Sequence, residues 1–213
     1  MGRAAWLTMT AAGLALRAVA AFLGSDFLGS VAIVPTLFGA VGYLAGTRTA
    51  RALTFPITFL LFAIPLPFMD DLGFYFQRLS SAGAAALLHV VGVPATYQGA
   101  ELSLPNASFV VGTPCSGLYS TVALTGLGIL YARMLGLPSR RQGAALVGLL
   151  VPLAIVTNVV RLGSLLSVAH LWGAEIAMAY YHNALDIVFW ALAMALLLAT
   201  GKGVRWIGSR AAA

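Results

Sequence analysis

The sequence predicts an all-α, polytopic membrane helical bundle of about six transmembrane helices, with one further helix lying in the outer interface or re-entering. Three observations carry this. Of 213 residues, 61% are hydrophobic and only 8% are charged, against about 25% charged in soluble domains, and the mean hydropathy is +0.95. Apolar stretches long enough to cross a bilayer recur along the chain, so lipid is the solvent for most side chains. These stretches are Ala/Leu/Val/Gly runs without alternation. Backbone groups in hydrocarbon must be satisfied internally, by helices or a closed barrel, and unalternated runs exclude the barrel. With no fixed-period repeat, low-complexity tract or appended soluble domain in view, positions 1–213 read as a single integral membrane domain.

The first crossing is expected from Ala4 to Gly24. Arg3, an apolar run and Ala18-Val19-Ala20 imitate a signal peptide, but Arg17 interrupts the run and favours a retained helix with a snorkelling or interhelical arginine. Further crossings are expected over Val31–Gly46, Ala52–Phe68, Ser116–Ala132, Gln142–Leu165 and Glu175–Thr200. From Asp71 to Gly92 an Ala/Leu-rich helical pattern is broken by Arg78 and His89, which marks the interfacial or re-entrant helix. The outer loop over 93–114 carries turn residues and alternation between Pro94 and Pro114, and reads as an extended loop or short hairpin.

The net charge of +6 could point to nucleic acid, but basic membrane proteins commonly owe such a charge to cytoplasmic loops. The distribution favours the loops, and no nucleic-acid partner is expected. Arg3, Arg48, Arg51, Arg133, Arg140, Arg141, Lys202, Arg205 and Arg210 occupy alternate connections, nine of the twelve basic residues, while Asp26, Asp70, Asp71, Glu101, Glu175 and Asp186 fall on or near the other side. This arrangement predicts cytoplasmic termini and an even number of crossings.

Counting 1.5 Å per helical residue from the basic anchors gives depth. Cys115 precedes Arg133 by 18 residues, Arg161 follows Arg141 by 20, and His182 precedes Lys202 by 20, so each is expected about 27–30 Å from the inner surface. A thiol, a guanidinium and an imidazole thus converge on the outer boundary. One cysteine excludes an internal disulfide, a zinc cluster or Cys-x-x-Cys chemistry; no metal or cofactor is expected. A thiolate is the attacking species in thiol catalysis, and a neighbouring cation favours it. Cys115 lies in Thr-Pro-Cys-Ser-Gly-Leu, where Pro114 suits the first turn of a helix and is expected to leave the following amides, through Ser116 and Gly117, facing a developing oxyanion. The commoner role of a membrane cysteine is that of a small buried hydrophobe.

Arg161 is costly at this depth unless it meets an anion or snorkels to phosphate. Asn158, three residues earlier, shares its face and either orients the guanidinium or bridges helices. Asp186 follows His182 by one turn, at the spacing that lets a carboxylate fix an imidazole and stabilise its cation. Asp186 is therefore expected to pair with His182, with Arg161 as the other available cation, and to help hold Cys115 as thiolate. An interfacial histidine among Tyr180, Tyr181 and Trp190 is the competing reading, and His89 and His170 read as interfacial or packing residues.

At these residues the chain resembles the exosortase/archaeosortase family of membrane-embedded cysteine transpeptidases. The match is ordered: Phe-Ala-Ile-Pro-Leu-Pro at 62–67, Gly92-Val93-Pro94, the loop from Gly99 to Leu104-Pro105, Cys115-Ser116-Gly117-Leu118, Pro152-Leu153-Ala154-Ile155 with Asn158 and Arg161, then His182 and an apolar last helix, a core of about 52–200. The resemblance implies that Cys115, Arg161 and His182 are the active-site Cys, Arg and His. It also implies a cysteine peptidase of the prokaryotic plasma membrane, with its site on the extracytoplasmic side. Its partners would be exported proteins bearing a C-terminal motif, a transmembrane helix and a basic tail, cleaved near the motif and passed to a lipid or lipid-linked acceptor. Many relatives carry an acidic residue shortly before the cysteine and a glycine four residues after the histidine, where this chain has Thr113 and Asp186.

Two other classes compete. A non-catalytic transporter or assembly factor for protein or exopolysaccharide export would use Arg161 and Asp186 to line a polar path, with Cys115 incidental. A haem or quinone protein would use His170 and His182, which flank a connection and lack a facing pair within spans.

Overall fold

The computed structural model describes residues 2–64, 66–135, 137 and 139–210. Pro65, inside the 62–67 motif, lies outside the described residues. The chain forms two compact units, Met1–Met69 and Asp70–Ala213.

In the first unit, helix α1 (Arg3–Phe22) is followed by a short α2 (Asp26–Val31) and by α3 (Ile33–Ala52). Small residues let α1 and α3 approach closely, as is usual where helices associate in lipid. A Cβ on Gly13 would sit 2.3 Å from Thr36 Oγ1, and one on Gly42 would sit 2.1 Å from the Trp6 ring. Trp6 is buried, and its Nε1 donates to Thr47 Oγ1 at 3.3 Å. Arg17 lies over Gly29 of α2, an interhelical placement. Gly46, at φ 82°, ψ 168°, breaks α3 into two helical pieces.

The segment expected to cross over 52–68 does not form one long helix. It folds as α4 (Thr54–Phe59) and a 3₁₀ turn (Leu60–Ala63), ten residues that span about 15 Å, half of a hydrocarbon core. Pro65 and Pro67 follow at once in the sequence, and proline removes donors and turns the preceding residue away from helical geometry.

The second unit opens with α5 (Met69–Val90). The outer loop then forms β1 (Thr96–Gln98), β2 (Glu101–Leu104) and β3 (Ala107–Val110), an antiparallel sheet in the order β1-β2-β3. The expected hairpin is thus two hairpins sharing β2. Its pairs run Thr96↔Ser103 to Gln98↔Glu101 and Glu101↔Val110 to Leu104↔Ala107. Leu102 and Leu104 point inward at period two and join Ala84 and Leu88 of α5 in one core.

A 3₁₀ turn (Thr113–Cys115) leads into α6 (Leu118–Met134), then α7 (Arg140–Trp172), the single turn α8 (Ala174–Ile176), a π-helical segment (Ala177–Tyr181) and α9 (His182–Arg210). The protein is largely helical, and four of the described stretches are long and apolar enough to cross a membrane: Arg3–Phe22, Asp26–Ala52, Arg141–Trp172 and Ala184–Gly208. Six were expected. Of the other two, α6 has 17 residues, about 25 Å, and the other is the broken segment at α4.

Small and apolar residues fix the register of α6, α7 and α9. Gly208 faces Gln142, Gly201 faces Tyr131, and Gly128 faces Leu150; Leu124, Ala154 and Ala193 cluster next, and Gly117 faces Asn158. Helix α7 is therefore antiparallel to α6 and α9. One end of this bundle carries the Arg133, Arg141 and Lys202 positions, and the other carries Cys115, Arg161 and the sheet. Helix α5 runs alongside α7, where Gly83 meets Val159 and Gly163 meets Leu87.

Candidate active site

Cys115 ends its 3₁₀ turn three residues before α6, and side chains from two helices hold that turn by its backbone. Ser80 of α5, 2% exposed, donates to the Ser116 carbonyl at 2.8 Å. Asn158 of α7, 4% exposed, donates through Nδ2 to Ser80 Oγ at 2.9 Å and to the Cys115 carbonyl at 3.1 Å. Gln77, on the same face of α5 as Ser80, donates to Thr113 Oγ1 at 3.1 Å. Within the turn, Ser116 Oγ donates to the Thr113 carbonyl at 2.7 Å and accepts from the Leu118 amide at 3.3 Å, opening α6. Buried polar groups need partners, and here the partners are themselves the clamp.

Gly117 completes this seat. Its φ of 83° is left-handed, and a Cβ would lie 2.7 Å from the Asn158 Cγ. Only glycine combines that turn with the approach of the amide. Asn158 therefore bridges elements and fixes the cysteine; its amide is directed at Ser80 and Cys115, not at the guanidinium.

The Cys115 and Ser116 amides are not free as expected. Cys115 N donates to the Gly112 carbonyl at 2.9 Å and Ser116 N to the Thr113 carbonyl at 3.2 Å, because a 3₁₀ turn spends its amides on i→i+3 bonds. Thr113 serves as the link to Gln77.

Arg161 forms an ion pair with Asp186, Nη1 to Oδ1, with side chains 16% and 47% exposed respectively. This corrects the expected His182–Asp186 pair. Spacing along α9 puts His182 and Asp186 on one face, but α7 brings a permanent cation across to the carboxylate, and a guanidinium at 16% exposure is stabilised most by a full opposite charge. Asp186 takes one nitrogen of a guanidinium with five N–H donors. The pair lines a cavity of about 40 Å³ with Ser120, Thr157, Asn158 and Trp190.

His182 begins α9 directly after the π segment, a helix type that is rare and concentrated at functional positions. Its Nδ1 is buried and has no hydrogen-bond partner among the described residues. The Cys115 side chain is half-buried and packs beside the core that holds Leu162, Leu165 and Leu185, as do Tyr181 and Phe189. Among the described residues no hydrogen bond joins Cys115 to His182 or Arg161. The structure thus brings Asn158 to the Cys115 backbone and Asp186 to Arg161, and leaves His182 Nδ1 without a partner among the described residues. Also among the described residues, no group of three or more His, Cys, Asp or Glu is placed to hold a metal ion. Sequence reasoning missed Gln77 and Ser80, which no local pattern marks, since their partners lie 36 residues away.

Residues 2–199 match the family described as Transmembrane exosortase (Exosortase_EpsH). The chain belongs to the transmembrane exosortase family. Comparison with curated proteins and with solved structures gives no match. As an exosortase family member it is a multi-pass membrane protein with a general role in protein sorting and processing at the membrane.

Proposed function

We propose that this exosortase is a thiol-dependent protease and transpeptidase that cleaves C-terminal sorting signals of exported proteins at the outer face of the plasma membrane and transfers them to a surface anchor. The Cys115 thiolate attacks the scissile carbonyl, and His182 takes the thiol proton and delivers it to the leaving amine as the C–N bond breaks. A thioester remains, which an acceptor nucleophile, water or a lipid-linked group, resolves. Arg161, with donors beyond the one Asp186 uses, stabilises the oxyanion or holds a substrate carboxylate. The observation that supports this reading is the clamp from Gln77, Ser80 and Asn158: two helices are committed to one cysteine turn, Ser80 and Asn158 through its backbone, which inert packing does not require. The basic positions at the opposite end of the second unit support an outward-facing site.

The test is co-expression with an exported precursor ending in an apolar helix and an arginine cluster. Cys115→Ala leaves the precursor uncleaved while the melting temperature of the purified enzyme is kept; unchanged cleavage overturns the assignment. A transporter or assembly factor would keep its activity in Cys115→Ser. Arg161→Lys abolishes cleavage as well, since a planar fork is not replaced by a point charge.

A further inference from the structure

The sheet in the outer loop has two edges, and they differ. Val111 N donates to the Ala100 carbonyl at 2.9 Å, which with the Glu101↔Val110 register fixes the phase of β3. In an antiparallel ladder each residue turns both backbone polar groups to the same side, alternately. Ala107 and Phe109 therefore bond to β2, and Ser108 and Val110 turn their N–H and C=O to the open edge. Extended backbone continues to Gly112, at φ −69°, ψ 163°, three residues before Cys115. Among the described residues, the backbone groups of Ser108 and Val110 have no hydrogen-bond partner, and the Val110 side chain is 77% exposed.

The β1 edge is shorter and is guarded at one group. By the same alternation Ala95 and Tyr97 face outward, and the Ala95 carbonyl accepts from His89 Nε2 at 2.6 Å. An uncovered edge strand is a template for another strand, and of the two edges β3 is the longer and runs directly into the nucleophile's turn.

We infer that the β3 edge is the substrate subsite: an extended peptide adds to the sheet as a fourth strand beside Ser108 and Val110, and the edge's continuation through Gly112 carries its scissile carbonyl to Cys115. This rests on the reading of Cys115 as a peptidase nucleophile and names how the substrate is held. Strand addition draws affinity from main-chain hydrogen bonds and selectivity from alternate side chains. The outward residues recur every second position, about 6.8 Å apart, so the subsite reads alternate amides of the substrate.

The probe is acetyl-tetra-alanyl chloromethyl ketone on the full chain in detergent, with chloride leaving as the Cys115 S–C bond forms, compared with acetyl-alanyl chloromethyl ketone and iodoacetamide. In the parent the longer peptide labels about tenfold faster than the shorter, the scale of one or two added hydrogen bonds. Val110→Pro deletes only an outward N–H and costs the sheet no internal bond; it removes this length advantage and leaves the iodoacetamide rate unchanged. Tyr97→Pro on the guarded edge keeps the advantage. No length advantage in the parent, or an advantage that survives Val110→Pro, overturns the subsite. Should Val110→Pro not fold, N-methylated probes decide in the parent: methylation at one amide abolishes the advantage and at the adjacent amide does not, and equal effects overturn the proposal. Failure of the peptidase reading is separate, showing as precursor cleavage that persists in Cys115→Ala.

Discussion

At the residue scale, the Arg161–Asp186 pair decides what each group is free to do. Replacing Asp186 by Asn leaves a guanidinium at 16% exposure without its counter-charge, which after allowance for the half-exposed carboxylate costs about 1–2 kcal/mol and is read as a lowered melting temperature. Ser80→Ala strands the Ser116 carbonyl and one Asn158 donor in a buried site, at about 1–3 kcal/mol. Precursor cleavage falls with it, and Ser80→Thr, which keeps the hydroxyl, recovers part of the rate. The sequence offers both His182 and Arg161 as cations for Asp186, but an i, i+4 spacing names neighbours on one helix and is blind to the helix facing it, which is why it favours His182 over Arg161 of α7.

At the element scale, the helical period and the turn residues do most of the prediction. Helices α1, α3, α7 and α9 stand where long apolar runs put them, and the sheet follows from Gly99-Ala100 and Pro105-Asn106 as two-residue connections between alternating segments. The segment at 52–68 misleads because hydropathy counts apolar side chains while proline acts on the backbone. The entry to α6 is the element most dependent on one residue. Gly117→Ala forces a side chain into a left-handed position, at about 1–2 kcal/mol, and drives its Cβ into Asn158. A lower melting temperature and slower precursor cleavage follow together; a variant that loses stability yet cleaves at the parental rate would show that the Asn158 contact is structural only.

At the scale of the whole molecule, the alternation of basic and acidic connections predicts where each loop lies. A reporter fused after Ser103 is active only outside the cytoplasm, and reporters at both termini only inside; an active cytoplasmic reporter after Ser103 would reverse the orientation of the site. That Cys115 and Arg161 share one end of the second unit was legible because depth is linear along a helix. The clamp on Cys115 was not, because it is made by α5 and α7 meeting a turn between them.

The π segment at Ala177–Tyr181 gives the chain a place where residue count is negotiable. A wide turn holds one residue more than the α-helix it interrupts. Deleting a residue there lets the turn close to α geometry while Asp186 stays opposite Arg161. The same deletion just beyond, between Ile187 and Leu192, would rotate everything downstream by about 100° and carry Ala193, Leu197 and Gly201 off the helices they face. Length variation between α7 and α9 is therefore absorbed beside His182, and the bundle beyond it admits none.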